Sequence, residues 1–348
     1  MNQDRYQAAE RRLWASVGVT PRDRRVRLER LGVTVRIQEV GEGDPVVFVH
    51  GGSNAGASWA RLAARLSGLS GFRCLLLDRP GCGLSEPLDG RLDADGMKQV
   101  ARTQLVDLLD ALELPSAQVV ATSYGGLSAL LSAAAHPDRI DRSVLLGWPV
   151  GAPIASVPMV MRIAAIRPLG RVMAALPQTE RSVRSMLRQV GLRRAIDTGR
   201  FSSEELAWFH ALLRDTDTMG NEVRSNRYLS LRHGLFGGLI VPDEVLASIR
   251  NPLLFLWGED DPFGGAPIAR QLVARIPGSQ LEMIADAGHA VWVDELDHVA
   301  AAITRFLGRP DVDGPSPQQP PEVAEVRHDT GGTATDRHVL DVPGSRET

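Results

Sequence analysis

The amino-acid sequence predicts an α/β fold: a mostly parallel sheet flanked by helices, with an all-helical segment inserted after the sixth strand. Three observations predict it. Short, nearly all-apolar runs recur at residues 46–49, 73–77, 118–121, 143–146 and 253–257, as strands covered on both faces require. Helical patterns lie between them, and such alternation marks parallel strands joined by crossover helices. One stretch, from Pro149 to about Asp243, carries no strand signal at all.

The elements follow in order. Residues 5–17 form an amphipathic pattern, expected as a short helix within an N-terminal extension over 1–24. Runs at 26–31 and 33–40 flank Gly32 and read as a hairpin. A core over 25–148 and 244–308 then carries the apolar strands, a weaker one at 280–284, and helices at 59–66, 95–112, 127–135, 266–275 and 294–306. Four helical patterns, at 158–176, 180–189, 204–213 and 218–233, fill residues 149–243. Ser202 and Glu205 have capping-box spacing at the start of the third. An insertion of this kind is expected to act as a cap that walls a pocket and excludes water. After Leu307 the composition turns to Pro, Gly, Asp and Gln, so residues 309–348 are expected as a disordered tail.

Composition bounds the function. At 348 residues a folded chain buries about three quarters of its extended surface, enough for a core without staples. The net charge of -3 implies no strongly charged partner. All basic residues except Lys98 are arginine, which reads as a codon bias, so pairs such as Arg24 and Arg25 are not taken as nucleic-acid contacts. Cys74 lies in an apolar run and is expected buried, whereas Cys82 lies in a Gly-rich loop and is expected partly exposed. Two cysteines make no disulfide framework and fit a reducing compartment. The charged N-terminus does not read as a signal peptide, and no 18-residue apolar stretch occurs. The expectation is a cytoplasmic protein with no membrane span, no nucleic-acid partner and a small-molecule substrate. No Cys/His cluster has metal-ligand spacing and no Gly-rich loop reads as a dinucleotide or P-loop fingerprint, so no cofactor is expected.

The chemistry centres on Ala121-Thr122-Ser123-Tyr124-Gly125-Gly126, which follows an apolar strand and opens a helix. That is the context of a nucleophile elbow, where small residues must flank the serine because the chain nearly touches itself. A serine hydroxyl needs a base. Of eight histidines, His328 and His338 fall in the tail, His136 ends a helix, His210, His233 and His298 lie on helices, and His50 ends a strand. His289 lies in a loop after the last strand, at the carboxyl edge where functional loops of parallel sheets gather. An elbow serine takes its acid between the two in chain order. Glu259, Asp260 and Asp261 compete for that role; the turn after Gly258 favours Asp261, with Asp260 the alternative. Val49-His50-Gly51-Gly52-Ser53 is placed to complete an oxyanion hole, with the N–H groups of Gly52 and Tyr124 as donors worth about 3 kcal/mol each.

Taken together, His50-Gly51-Gly52-Ser53, the loop from Asp78 to Ser85, Ser123 in its elbow, Gly258 to Pro262 and Gly288-His289 resemble the α/β-hydrolase superfamily over about residues 25–307. The resemblance implies a helical cap after the sixth strand and a Ser123–Asp261–His289 triad. A dehalogenase or epoxide hydrolase of this fold would carry Asp at 123. Carbon–carbon bond hydrolases share the triad, but in them a Trp commonly follows the catalytic His, whereas Ala290 follows here. The expected reaction is hydrolysis of a small to medium apolar carboxylic ester or lactone through an acyl-enzyme. The alternatives are a carbon–carbon bond hydrolase, a cofactor-free haloperoxidase on the same triad, and a non-catalytic ligand receptor with this fold.

Overall fold

The computed structural model of the chain describes residues 2–69, 71–89, 92–176, 178–225 and 236–308. Its centre is one eight-stranded sheet with the order β1-β2-β4-β3-β5-β6-β7-β8. The strands are β1 (Arg22–Leu28), β2 (Val33–Val40), β3 (Asp44–Val49), β4 (Phe72–Leu77), β5 (Ala117–Ser123), β6 (Ile140–Pro149), β7 (Leu253–Gly258) and β8 (Gln280–Ile284). β1 pairs antiparallel with β2, and β2 with β4; every later pairing is parallel. The hairpin turns at Gly32, whose φ of 67° lies in the left-handed region. β1 starts at Arg22, inside the segment expected as an N-terminal extension.

The apolar runs become buried central strands because crossover helices cover both faces. α2 (Ala60–Leu69), α3 (Ala94–Ala111), α4 (Tyr124–Ala135), α12 (Ala266–Val273) and α14 (Leu296–Leu307) supply that cover, with the short α13 (Val291–Asp294) before α14. The helix expected over 294–306 is α14, which begins two residues later at Leu296.

Between β6 and β7 lie helices α5 (Met159–Ala164), α6 (Arg167–Ala175), α7 (Glu180–Leu187), α8 (Arg193–Asp197), α9 (Ser203–Asp215), α10 (Thr218–Ser225) and α11 (Asp243–Ser248). The pattern at 158–176 is split because Pro168 allows no helical hydrogen bond from its nitrogen and biases Arg167 away from a helix interior. Both hydrogen bonds of the Ser202–Glu205 capping box are present at α9. The expected helix over 218–233 is described only as far as Ser225; the remainder, with His233, lies outside the described residues, as does the expected tail at 309–348.

The N-terminal helix α1 (Gln3–Ser16) buries Tyr6, Leu13 and Trp14 and packs against α9 of the helical insertion. It also carries a charge inward. Glu10, on α1, is buried and accepts hydrogen bonds from Arg36 Nη1 on β2 (2.9 Å) and from Tyr6 Oη (2.9 Å). Arg36 reaches Asp23 as well (2.9 Å) and stands 3.7 Å from Asp78, at the end of β4. Such a network stabilises little against an apolar replacement, but removing one partner strands the other charge in the interior. Glu10→Ala is therefore expected to lower unfolding stability by about 3–5 kcal/mol. Urea unfolding followed by circular dichroism measures it, and a loss below about 1 kcal/mol would show that Asp23 and Asp78 suffice to pair Arg36 without Glu10.

Candidate active site

β5 ends in a turn that forces Ser123 to φ 51° and ψ -118°, a conformation that costs a non-glycine residue energy and needs support from its surroundings. The support is contact. A Cβ on Gly125 would lie 2.1 Å from the Val49 carbonyl oxygen, so only glycine lets the head of α4 approach the end of β3. Gly51 is less crowded but still near: its Cβ would lie 3.0 Å from Ser123 Cβ. The N–H of Tyr124 belongs to the first turn of α4, which leaves its N–H groups without intrahelical acceptors. Gly52 and Tyr124 line one cavity together with Ser123 and His289.

The turn after β7 separates the three competing acids. Glu259 and Asp260 are exposed, whereas Asp261 is buried. Asp261 Oδ2 accepts from the Trp148 N–H (2.8 Å) and lies 2.8 Å from His289 Nδ1; Oδ1 accepts from the Phe263 N–H (3.0 Å). The carboxylate is thereby held from three sides and leaves the other imidazole nitrogen for chemistry. Gly147 and Gly191 make room for the imidazole segment, since a Cβ on either would approach His289 backbone or side-chain atoms within 2.6 Å. The Phe263 ring meets the imidazole edge to face at 4.7 Å. Among the described residues no hydrogen bond joins Ser123 Oγ to His289; in structures without substrate such contacts are often long.

A family model described as alpha/beta hydrolase fold matches residues 44–296. The chain belongs to that family. It is 27% identical over 294 residues to a 2-hydroxy-6-oxononadienedioate/2-hydroxy-6-oxononatrienedioate hydrolase of Escherichia coli, covering 81% of this chain and 94% of that one. The enzyme of the same name from Cupriavidus pinatubonensis is 26% identical over 79% of this chain and 90% of its own length. Among solved structures, a 2-hydroxy-6-oxo-6-phenylhexa-2,4-dienoate hydrolase from a Rhodococcus species superposes with a TM-score of 0.70, at 18% identity, covering 84% of this chain and all of that one. A carboxylesterase from Bacillus subtilis superposes at 0.69 and 21% identity, covering 88% of this chain and 98% of its own.

In this alpha/beta hydrolase the cavity beside Ser123 has a volume of about 320 Å³. Its walls are mostly apolar and come largely from the insertion, including Met161, Met173, Met186, Trp208 and Phe209. Met159, on the same helix as Met161, turns outward and is 59% exposed. Trp148 lies wholly in the core; its backbone N–H meets Asp261, and its ring stacks on Phe263 (5.1 Å), which faces His289. Trp292 lines the cavity, with Nε1 donating to the Ser58 carbonyl (3.3 Å). Among the described residues no helix is long and apolar enough to cross a membrane.

Several residues near the site escaped sequence reasoning. Arg79, after β4, donates through Nη2 to the Gly51 carbonyl (2.9 Å) and lies 4.2 Å over the Tyr124 ring, so one guanidinium touches both loops expected to form the oxyanion hole. Glu222, on α10, pairs with it (3.0 Å). Cys82 is buried rather than partly exposed, because Arg79 and Glu222 close over its loop; burial pushes its thiol well above the usual range. Asp78 shapes that loop by accepting from the Leu84 N–H (3.1 Å) and joins it to Gly56, whose N–H it also accepts (2.7 Å). Burial pushes its carboxyl up to about 6, against the lowering pull of Arg36.

His50 is structural. Its Nδ1 donates to the Gly51 carbonyl (2.7 Å) and its Nε2 accepts from the Arg79 N–H (3.0 Å), which only the neutral ring can do. Burial, joined by repulsion from the Arg79 guanidinium, holds the imidazole well below its usual range. The unfolded chain binds a proton at His50 below about pH 6.5 while the folded chain does not, so this stability is present above that pH and lost as pH falls below it. Lowering pH from about 7.5 to about 5.5 is expected to reduce the urea midpoint more in the native chain than in His50→Gln. Asp78 titrates alike in both proteins, so parallel pH profiles would show that His50 takes a proton without cost.

Proposed function

We propose that the chain is a serine hydrolase that cleaves a neutral, apolar carboxylic ester or lactone through an acyl-enzyme. In this reading His289 takes the Ser123 proton, Asp261 holds the imidazole tautomer, and Ser123 Oγ attacks the carbonyl carbon. The N–H groups of Gly52 and Tyr124 hold the oxyanion, His289 returns its proton to the leaving alcohol, and water repeats the cycle to free the acid. The insertion over 149–243 serves as a cap that keeps bulk water from the acyl group. One observation carries the reading: the 2.8 Å contact of Asp261 with His289, in a cavity shared with a serine on a strained elbow.

A second reading, carbon–carbon bond hydrolysis, is favoured by the printed activities of the Escherichia coli and Cupriavidus relatives. Their named substrates are dioates, and a dianion entering a largely apolar cavity needs cations to replace its water. Among the described residues lining this cavity there is no Arg or Lys, and the acidic side chains are Glu205 and Glu222. That balance favours a neutral substrate and hence the ester.

The test is rapid mixing with a short nitrophenyl ester. An initial burst of nitrophenol is expected, and Ser123→Ala is expected to lower kcat by about 10⁴–10⁶-fold with the fold intact. Faster turnover of a 2-hydroxy-6-oxodienoate than of any ester in a chain-length series would establish the second reading instead. Ligand-induced stabilisation without turnover of either class would mark a receptor.

A further inference from the structure

Glu222 stands beside the backbone proposed to hold the oxyanion. Its side chain is 12% exposed and lines the cavity. Oε1 is engaged, accepting from Arg79 Nη2 (3.0 Å) and from Cys82 Sγ (3.5 Å). Oε2 is 3.6 Å from the point where a Cβ on Gly52 would lie, and among the described residues no hydrogen bond reaches it. The cavity's other carboxylate, Glu205, is tied into its own helix start through the Ser202 N–H (2.7 Å) and faces Arg61 (3.5 Å). Both of those contacts fall on Glu205 Oε2, so each glutamate keeps one oxygen without a hydrogen bond among the described residues, but only the oxygen of Glu222 lies beside Gly52.

That oxygen has a definite electrostatic consequence. Facing an ordinary acyl group, it repels the developing oxyanion, and Arg79 offsets the charge only from the Oε1 side. Facing an acyl group with its own hydrogen-bond donor next to the carbonyl, it gains a charge-assisted bond. A hydroxyl on the carbon beside the carbonyl lies two bonds from the carbon that carries the oxyanion, so with the oxyanion held at Gly52 it falls within reach of a carboxylate beside that residue. We propose that Glu222 is a specificity-determining residue. It selects uncharged acyl groups that carry a hydroxyl on the carbon next to the scissile carbonyl and rejects those with a carboxylate there. The proposal rests on Ser123 as nucleophile and Gly52 as oxyanion donor.

The experiment compares kcat/KM for ethyl butanoate, ethyl 2-hydroxybutanoate and monoethyl malonate by titration of released acid. The native enzyme is expected to favour the hydroxy ester over ethyl butanoate by about tenfold or more, the worth of a hydrogen bond to a charged acceptor. Glu222→Gln keeps an oxygen for Arg79 but removes the charge. It is expected to lose most of that preference and to gain about tenfold on the malonate ester relative to ethyl butanoate. A residue that merely props Arg79 would change all three substrates together and leave the ratios alone. Unchanged ratios in a folded Glu222→Gln, or a native enzyme that treats the hydroxy and plain esters alike, would overturn the proposal while leaving the ester hydrolase reading in place. Absence of any ester turnover and of any burst would overturn that reading itself, and this inference with it.

Discussion

The site depends on a near-collision of backbones where the start of α4 crosses the end of β3. Gly125 has no Cβ because the Val49 carbonyl occupies its place, and that contact locks the turn in which Ser123 adopts a left-handed φ. A looser turn would lower the serine toward the sheet and draw the His50-Gly51-Gly52 loop away from it. The strain is held by the parallel pairing of β3 with β5, in register from Val46 opposite Gln118 to Val49 opposite Ala121. The geometry of the serine turn and the packing of the sheet are here one constraint.

A second level of order comes from buried charges that are almost all spoken for. Asp261 has two backbone donors and an imidazole; Asp78 has two backbone donors and Arg36 nearby; Glu10 has Arg36 and Tyr6. Each buried carboxylate ties together segments far apart in the chain, which gives the surrounding loops one arrangement. Through Glu10 and Arg36 the N-terminal helix is joined to the sheet, while its apolar side packs on α9, so the same helix braces both the core and the insertion that walls the cavity. Glu222 is different: one oxygen pairs with Arg79, while the other has no hydrogen bond among the described residues and lies beside Gly52.

Much of the sheet was legible because its signal is local. A buried parallel strand must be apolar at every position, so the runs ending at Val49, Leu77 and Trp257 stand out from the sequence within a residue or two of their observed limits. The elbow was legible for a related reason: the serine and its small neighbours stand in six consecutive residues, although the contact its glycine answers, the Val49 carbonyl, lies on another strand. Helix breaks in the insertion were less so, since amphipathic periodicity runs straight across Pro168 and takes no account of how the two pieces pack. The burial of Cys82 was not legible, because its cover comes from Glu222, distant in sequence and without a motif.

By itself, then, the sequence determined the family, the strand alternation and the chain order of serine, acid and histidine, since each depends on short-range spacing or on residue types that steric limits demand. Only the tertiary structure decided which acid meets His289, that Arg79 spans both loops beside Ser123, and that the cavity's spare charge is a carboxylate. Those outcomes depend on distances between segments that chain connectivity leaves free, and the packed core alone sets them.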